Sequence, residues 1–140
     1  MLRRGLYLLA LLAVIALALS GCTDTTGQVE APLGQEFSLS IGQTAAITGE
    51  RLKIEFQEVV EDSRCARGVV CIWQGRVSCL VRIISDYSPT SLLLMQPGLT
   101  GQPNTQTFQN YRLAFRVEPY PEAGKEILPD EYRLLLTITR

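Results

Sequence analysis

Four thiols and one cluster of acids are the side chains in this 140-residue sequence whose types and spacing could do chemistry, and no histidine is present to assist them. Without imidazole, Ser–His and Cys–His nucleophile pairs and every His-ligated metal site are excluded. Glu58, Glu61 and Asp62 stand close together, and paired carboxylates can move protons or hold a hard cation such as calcium. No loop, however, carries ligands at the alternating spacing of a calcium site, and three acids at the end of a strand ordinarily form a solvated rim. Cys65 and Cys71 lack the Cys-x-x-Cys spacing and the helix N-terminus that thiol–disulfide exchange uses. Gly49-Glu50 and the stretch from Gly98 to Gly101 lack the setting of a phosphate loop. The sequence therefore assigns no catalytic, cofactor-binding or metal-binding residue, and the chain reads as non-enzymatic.

The first cysteine, Cys22, has a different chemistry. Met1 to Arg4 is a short basic head, and Gly5 to Leu19 is an apolar run of 15 residues. As a helix that run is about 22 Å long, short of the roughly 30 Å hydrocarbon core, so it reads as the core of an export signal and not as a permanent span. Leu19-Ser20-Gly21-Cys22 then resembles the lipobox of bacterial lipoproteins. That resemblance implies a diacylglyceryl thioether on Cys22, cleavage just before it, and acylation of the new amine by a palmitate-type chain. Small Ser20 and Gly21 suit a narrow protease groove, and only sulfur forms the thioether. Two rival readings are cleavage after Ala18 (Ala16-Leu17-Ala18 has the small-x-small pattern), which leaves a plain thiol, and an uncleaved anchor, which the length disfavours. Arg3-Arg4 resembles a twin-arginine signal, but the very apolar run and the lack of a cofactor motif favour general export. Two or three acyl chains anchor a protein stably where one does not. Thr23 follows the cysteine, with Asp24 one later, so an outer membrane is favoured over retention in the inner one if the source has both.

These features divide the chain into a signal peptide at 1–21, a lipidated tether at 22–34 and one folded domain at 35–140. The tether is polar, small and punctuated by Pro32 and Gly34, and reads as flexible chain that holds the domain off the bilayer. Without Arg3 and Arg4, 11 basic side chains face 14 acidic ones, a net charge of −3. This mild acidity, with no basic stripe, argues against nucleic acid as a partner.

An exported chain meets oxidant, and five residues between Cys65 and Cys71, with Gly68 free to adopt positive φ, permit closure. Cys71–Cys79 and Cys65–Cys79 pairings remain open at this point. Cys79 falls in the apolar phase of a strand and is expected to be a small buried hydrophobe. Trp73, two residues beyond Cys71, is on the same side of an extended chain and is placed to pack over the bridge. Asp62 can cap the turn or pair with Arg64. The stretch resembles a set of small bacterial secreted proteins and lipoproteins that share an Asp-Ser-Arg-Cys-Pro … Cys-x-Trp-x-Gly signature. Asp62, Ser63, Arg64, Cys65, Cys71, Trp73 and Gly75 match it, and Ala66 stands where proline is usual. The resemblance implies a fold and no catalytic role.

What positions these residues is a series of short alternating runs. Phe37, Leu39 and Ile41 share one face; so do Leu52, Ile54, Phe56 and Glu58; so do Val77, Cys79, Val81 and Ile83. Ser91 to Met95 looks buried throughout, and Tyr111 to Val117 and Tyr132 to Ile138 form a last pair. Seven or so strands with turns at this spacing predict an all-β fold, an antiparallel β-sandwich immunoglobulin-like in general form, with a small barrel as the alternative. Tyr132, just after a turn, is expected to return its hydroxyl to upstream backbone.

The expectation for function is a monomeric, non-catalytic binding or structural module of the cell envelope, held to the membrane through Cys22. The alternative is an inhibitor-like or ligand-binding module that presents the Cys65–Cys71 loop to an envelope protein, with Arg64, Arg67 and Trp73 as contact surface. Leu19-Ser20-Gly21-Cys22 makes the first prediction. Intact mass of membrane-extracted protein should give a chain that begins at acylated Cys22, and Cys22→Ser should block processing and anchoring. A soluble product that starts at Leu19 would refute it.

Overall fold

Alternation of apolar and polar residues is what builds this chain, since successive side chains of a strand point to opposite faces and the strands here bury mainly one face, Ser78 of an inner strand being buried on the other. The computed structural model describes residues 27–98 and 103–140. Cys22, Thr23, Asp24 and the expected signal peptide lie outside the described residues. Among the described residues nine strands run in chain order: β1 (Gln28–Ala31), β2 (Glu36–Ser40), β3 (Thr44–Ile47), β4 (Lys53–Asp62), β5 (Arg76–Ile84), β6 (Thr90–Pro97), β7 (Asn104–Phe108), β8 (Tyr111–Glu118) and β9 (Arg133–Thr139). They form a five-stranded sheet in the order β1-β3-β4-β5-β6 and a four-stranded sheet in the order β2-β9-β8-β7. The two sheets pack face to face and do not close into a barrel. The sandwich is immunoglobulin-like only in that general form, because β3 to β6 and β7 to β9 run as two successive meanders. All neighbours are antiparallel except β1, which runs parallel to β3.

The core is the set of inward residues read in the sequence. Leu39, Ile54, Phe56, Val77, Val81 and Ile83 meet Leu113, Phe115, Val117, Leu134, Leu136 and Ile138, all of them buried. Cys79 sits among them, opposite Val59 on one side and Leu94 on the other, as a free buried thiol. The alternative pairings of Cys79 are thus set aside.

Three expectations change, and one strand is new. The tether is shorter than 22–34, because Gln28–Ala31 joins the sheet as β1, with Ala31 fully buried and the Gly34 amide donating to Ile138 O at 2.8 Å. Ser91 to Met95 is not buried throughout. As part of edge strand β6 it covers the core with buried Leu94 and half-buried Leu92, and Leu93 and Met95 are exposed. The polar run Asn104–Phe108 pairs with β8 as a further edge strand. In β4 the phase is broken by register shifts between Phe56 and Glu58 and between Val59 and Glu61. Two bulges of this kind each insert an extra residue. They turn Glu58 out to solvent and bring Asp62 inward, so the face shared by Leu52, Ile54 and Phe56 does not continue to Glu58.

Burial has a pH signature. It pushes the Cys79 thiol from 9.0 up to about 12, with Arg64 opposing and Asp62 adding. Burial, then the charge and hydrogen bond of Asp62, raise Tyr132 from 10.0 to about 12. Both groups hold their protons more tightly folded than unfolded. Their contribution to stability is therefore complete below the unfolded values and is lost as pH rises through the folded ones. Melting temperature should fall between pH 9.0 and about 12, and Cys79→Ala should flatten the lower part of that fall. An unchanged slope in the variant would show that the thiol does not carry it.

Candidate functional site

The segment that joins β4 to β5, residues 63–75, is held by a short neck and a buried cation. At the neck the Ser63 amide donates to Arg76 O at 2.8 Å and the Cys65 amide to Gln74 O at 3.1 Å, which extends the β4–β5 pairing beyond the strands. Gly75 is forced by this closeness. Its φ is +65°, and a Cβ there would stand 1.7 Å from Ser63 O. Gly98 closes the same seam from β6, since a Cβ there would lie 1.9 Å from Gln74 O. Both positions demand glycine because backbone occupies the space a side chain needs.

Beneath the neck Arg64 turns into the sandwich, its side chain fully buried. Its Nε donates to Asp62 Oδ1 at 2.8 Å, and one terminal nitrogen donates to Asp62 Oδ2 at 2.6 Å, the fork-on-fork arrangement that arginine and a carboxylate form best. The other terminal nitrogen donates to Val117 O at 2.9 Å, and a further bond reaches Pro119 O at 2.9 Å. The guanidinium also lies 5.2 Å from the centre of the Tyr120 ring. Tyr132 donates its hydroxyl to Asp62 Oδ2 at 3.1 Å, not to upstream backbone as expected. Arg64 is therefore a tie between the two sheets, since Asp62 ends β4 while Val117 lies near the end of β8 and Pro119 just beyond it. As a contact residue it is corrected to a buried anchor.

The loop beyond the neck has two flanks. One is docked: the Arg67 amide donates to Pro121 O at 2.9 Å and the Ala123 amide to Arg67 O at 3.0 Å, while the exposed Arg67 guanidinium lies 5.2 Å from the Tyr120 ring centre. The other flank is bare. Cys65 and Cys71 are bonded, their Cα atoms 5.9 Å apart, as the sequence predicted. Val70 is 100 % exposed, Ile72 92 % and Trp73 81 %. Trp73 therefore does not shelter the bridge. Extended-chain parity placed it there, but the run from Cys71 to Gly75 is irregular and ends in a glycine with positive φ, so period-two reasoning does not apply.

The three acids Glu58, Glu61 and Asp62 separate. Glu61 pairs with Arg76 at 3.3 Å and accepts from Ser63, Asp62 faces inward, and Glu58 is exposed on its own bulge. Among the described residues no group of three or more acids or cysteines could hold a metal ion. Reasoning from sequence also missed an open cleft of about 830 Å³ at the opposite end of the sandwich, lined by Glu50, Arg51, Asp86, Tyr111 and Arg140. Glu50 is already engaged there, accepting from the Tyr111 hydroxyl at 2.7 Å and from Arg140 at 3.2 Å, and the first of these bonds raises the Tyr111 pKa. Its lining residues are scattered along the chain, and no sequence spacing marks them.

No family model matches the chain, and neither curated proteins nor solved structures give a match.

The clamp makes a quantitative prediction. Asp62→Ala leaves the buried Arg64 charge unpaired and should lower stability by about 3–5 kcal/mol. Loss of the bridge in Cys65→Ala/Cys71→Ala should cost only about 2 kcal/mol, since the closed loop is small. Asp62→Leu/Arg64→Met should recover much of the first loss, as neither charge then remains buried. Urea unfolding of the four proteins decides the order, and an Asp62→Ala variant more stable than the bridge-less one would overturn it.

Proposed function

We propose that this chain is a membrane-anchored extracytoplasmic lipoprotein, attached through Cys22, whose folded domain is a non-catalytic contact module presenting the loop 65–75. One observation carries the choice of the loop. Val70, Ile72 and Trp73 are held out in water by a bridge, a glycine-locked neck and a buried ion pair, although each would be more stable against apolar surface. Near-complete exposure of neighbouring large apolar side chains on a stiff scaffold is the mark of a surface built for contact. A bridged loop of this kind loses little freedom when it docks, so more of its apolar burial appears as affinity. The lipobox resemblance supports the anchor, and the oxidised pair Cys65–Cys71 accords with export. The absence of histidine supports the non-enzymatic reading.

The loop reading has a direct test. A photo-crosslinking residue at Val70 should give abundant adducts in intact cells, whether to lipid or to protein. The same residue at Tyr87, which is also well exposed but lies on a turn at the opposite end, should give few. Equal yields from the two positions would sink the proposal.

A further inference from the structure

We infer that the apolar flank of the loop, Val70, Ile72 and Trp73, docks on the lipid surface to which the chain is tethered, as a second point of membrane contact beside the acyl chains on Cys22. The inference rests on the proposed anchor and on the loop as contact element, and names the surface that the loop takes. Direction comes from strand register. Gln28 opens β1 beside Thr44, Thr44 faces Glu55, and β4 runs from there to Asp62, directly below the loop. Because β1 runs parallel to β3, the chain leaves Gln28 toward the end of the sandwich that carries the loop.

Distance agrees with direction. From Glu55 to Asp62 the strand climbs about 17 Å, the rise from Arg82 to Val77 on its partner at about 3.3 Å per residue, because the two bulges add residues without rise. From Cys22 to Gln28 the chain has six steps, which span at most about 20 Å however they run. The membrane attachment therefore comes level with the loop end when the chain continues as β1 points, and that end then lies close to the bilayer. The opposite end comes into reach only if the chain doubles back, and that end presents Glu50, Arg51, Asp86 and Arg140. The loop end instead presents an indole and two aliphatic side chains, the set that partitions into the interfacial region of a bilayer. Behind them Arg67 lies over Tyr120 and Glu122 pairs with Lys125, so the shoulder carries both signs, as zwitterionic headgroups do.

Trp73 is the single tryptophan of the chain, so its fluorescence reports this contact alone. The mature lipidated protein is reconstituted on phosphatidylcholine vesicles, with and without brominated acyl chains, and floated. Trp73 should emit to the blue, lose most of its intensity to the brominated lipid and resist aqueous acrylamide. Val70→Asp/Ile72→Asp, which alters only exposed positions, should float equally while Trp73 stays wet and unquenched by bromine. Floated protein whose Trp73 remains red-emitting and open to acrylamide overturns the inference and leaves the anchor standing. Blue emission without bromine quenching also overturns it, since a second copy or another protein surface then covers the loop. Protein that fails to float overturns the reading of Cys22, and the docking falls with it.

Discussion

A single buried guanidinium ties this sandwich together at one end. Arg64 is the residue through which the last residue of β4, the end of β8 and the Pro119–Tyr120 segment are held in fixed relation, by four charge-assisted hydrogen bonds and one aromatic face. A charge in that position is costly to desolvate, and only near-complete satisfaction of its donors makes it tolerable. The satisfaction is therefore also a constraint. Asp62 must point inward, which the two bulges of β4 arrange, and the backbone beyond β8 must offer carbonyls to the same spot. Tyr132 extends the network to the start of β9 through its bond to Asp62. Move any of these and the others lose their partners, which is how a polar cluster specifies one arrangement of two sheets.

The presented loop is the consequence. With Arg64 fixed below and Arg67 docked against residues 121–123, the bridged turn has little freedom to fold back and bury its apolar flank. Gly75 and Gly98 let three backbones come together at the neck without room for side chains. The bridge then acts locally, stiffening a turn whose base is already set. The clamp specifies how the two sheets sit at this end, and the bridge sets the shape of the exposed loop.

The fold was legible because its signal is period two, and Val77, Cys79, Val81 and Ile83, or Leu134, Leu136 and Ile138, carry that signal without interruption. Legibility failed wherever the period breaks or the strand is an edge. Gln28–Ala31 has a single buried residue and hides in a polar tether; Asn104–Phe108 half-buries only its two ends. The bulges in β4 are invisible to alternation, yet they decide that Asp62 faces in and Glu58 out. The bridge could be read from spacing, because closing a five-residue gap is a local matter. The partners of Arg64 could not be, since Val117 and Pro119 lie more than 50 residues away along the chain. Parity does not locate Trp73, because the backbone there is not extended.

The correction at β1 changes the proposed function more than it changes the fold. If residues 22–34 were all free, the domain could stand well clear of a bilayer and its apolar loop would need a partner within the envelope. With Gln28–Ala31 locked beside β3, only residues 23–27 separate the proposed anchor at Cys22 from the sheet, and β1 points back toward the loop end at its start. Under the proposed anchor so short a leash would confine the loop near the surface, and even modest affinity for the interface would be enough, because the second contact would be intramolecular and its effective concentration high. Three exposed side chains with no basic patch would bind a membrane weakly in a free protein. On a chain held by lipid, as proposed, they would need only choose which end faces down, and the polar cleft of Glu50, Tyr111 and Arg140 would then be turned away from the bilayer.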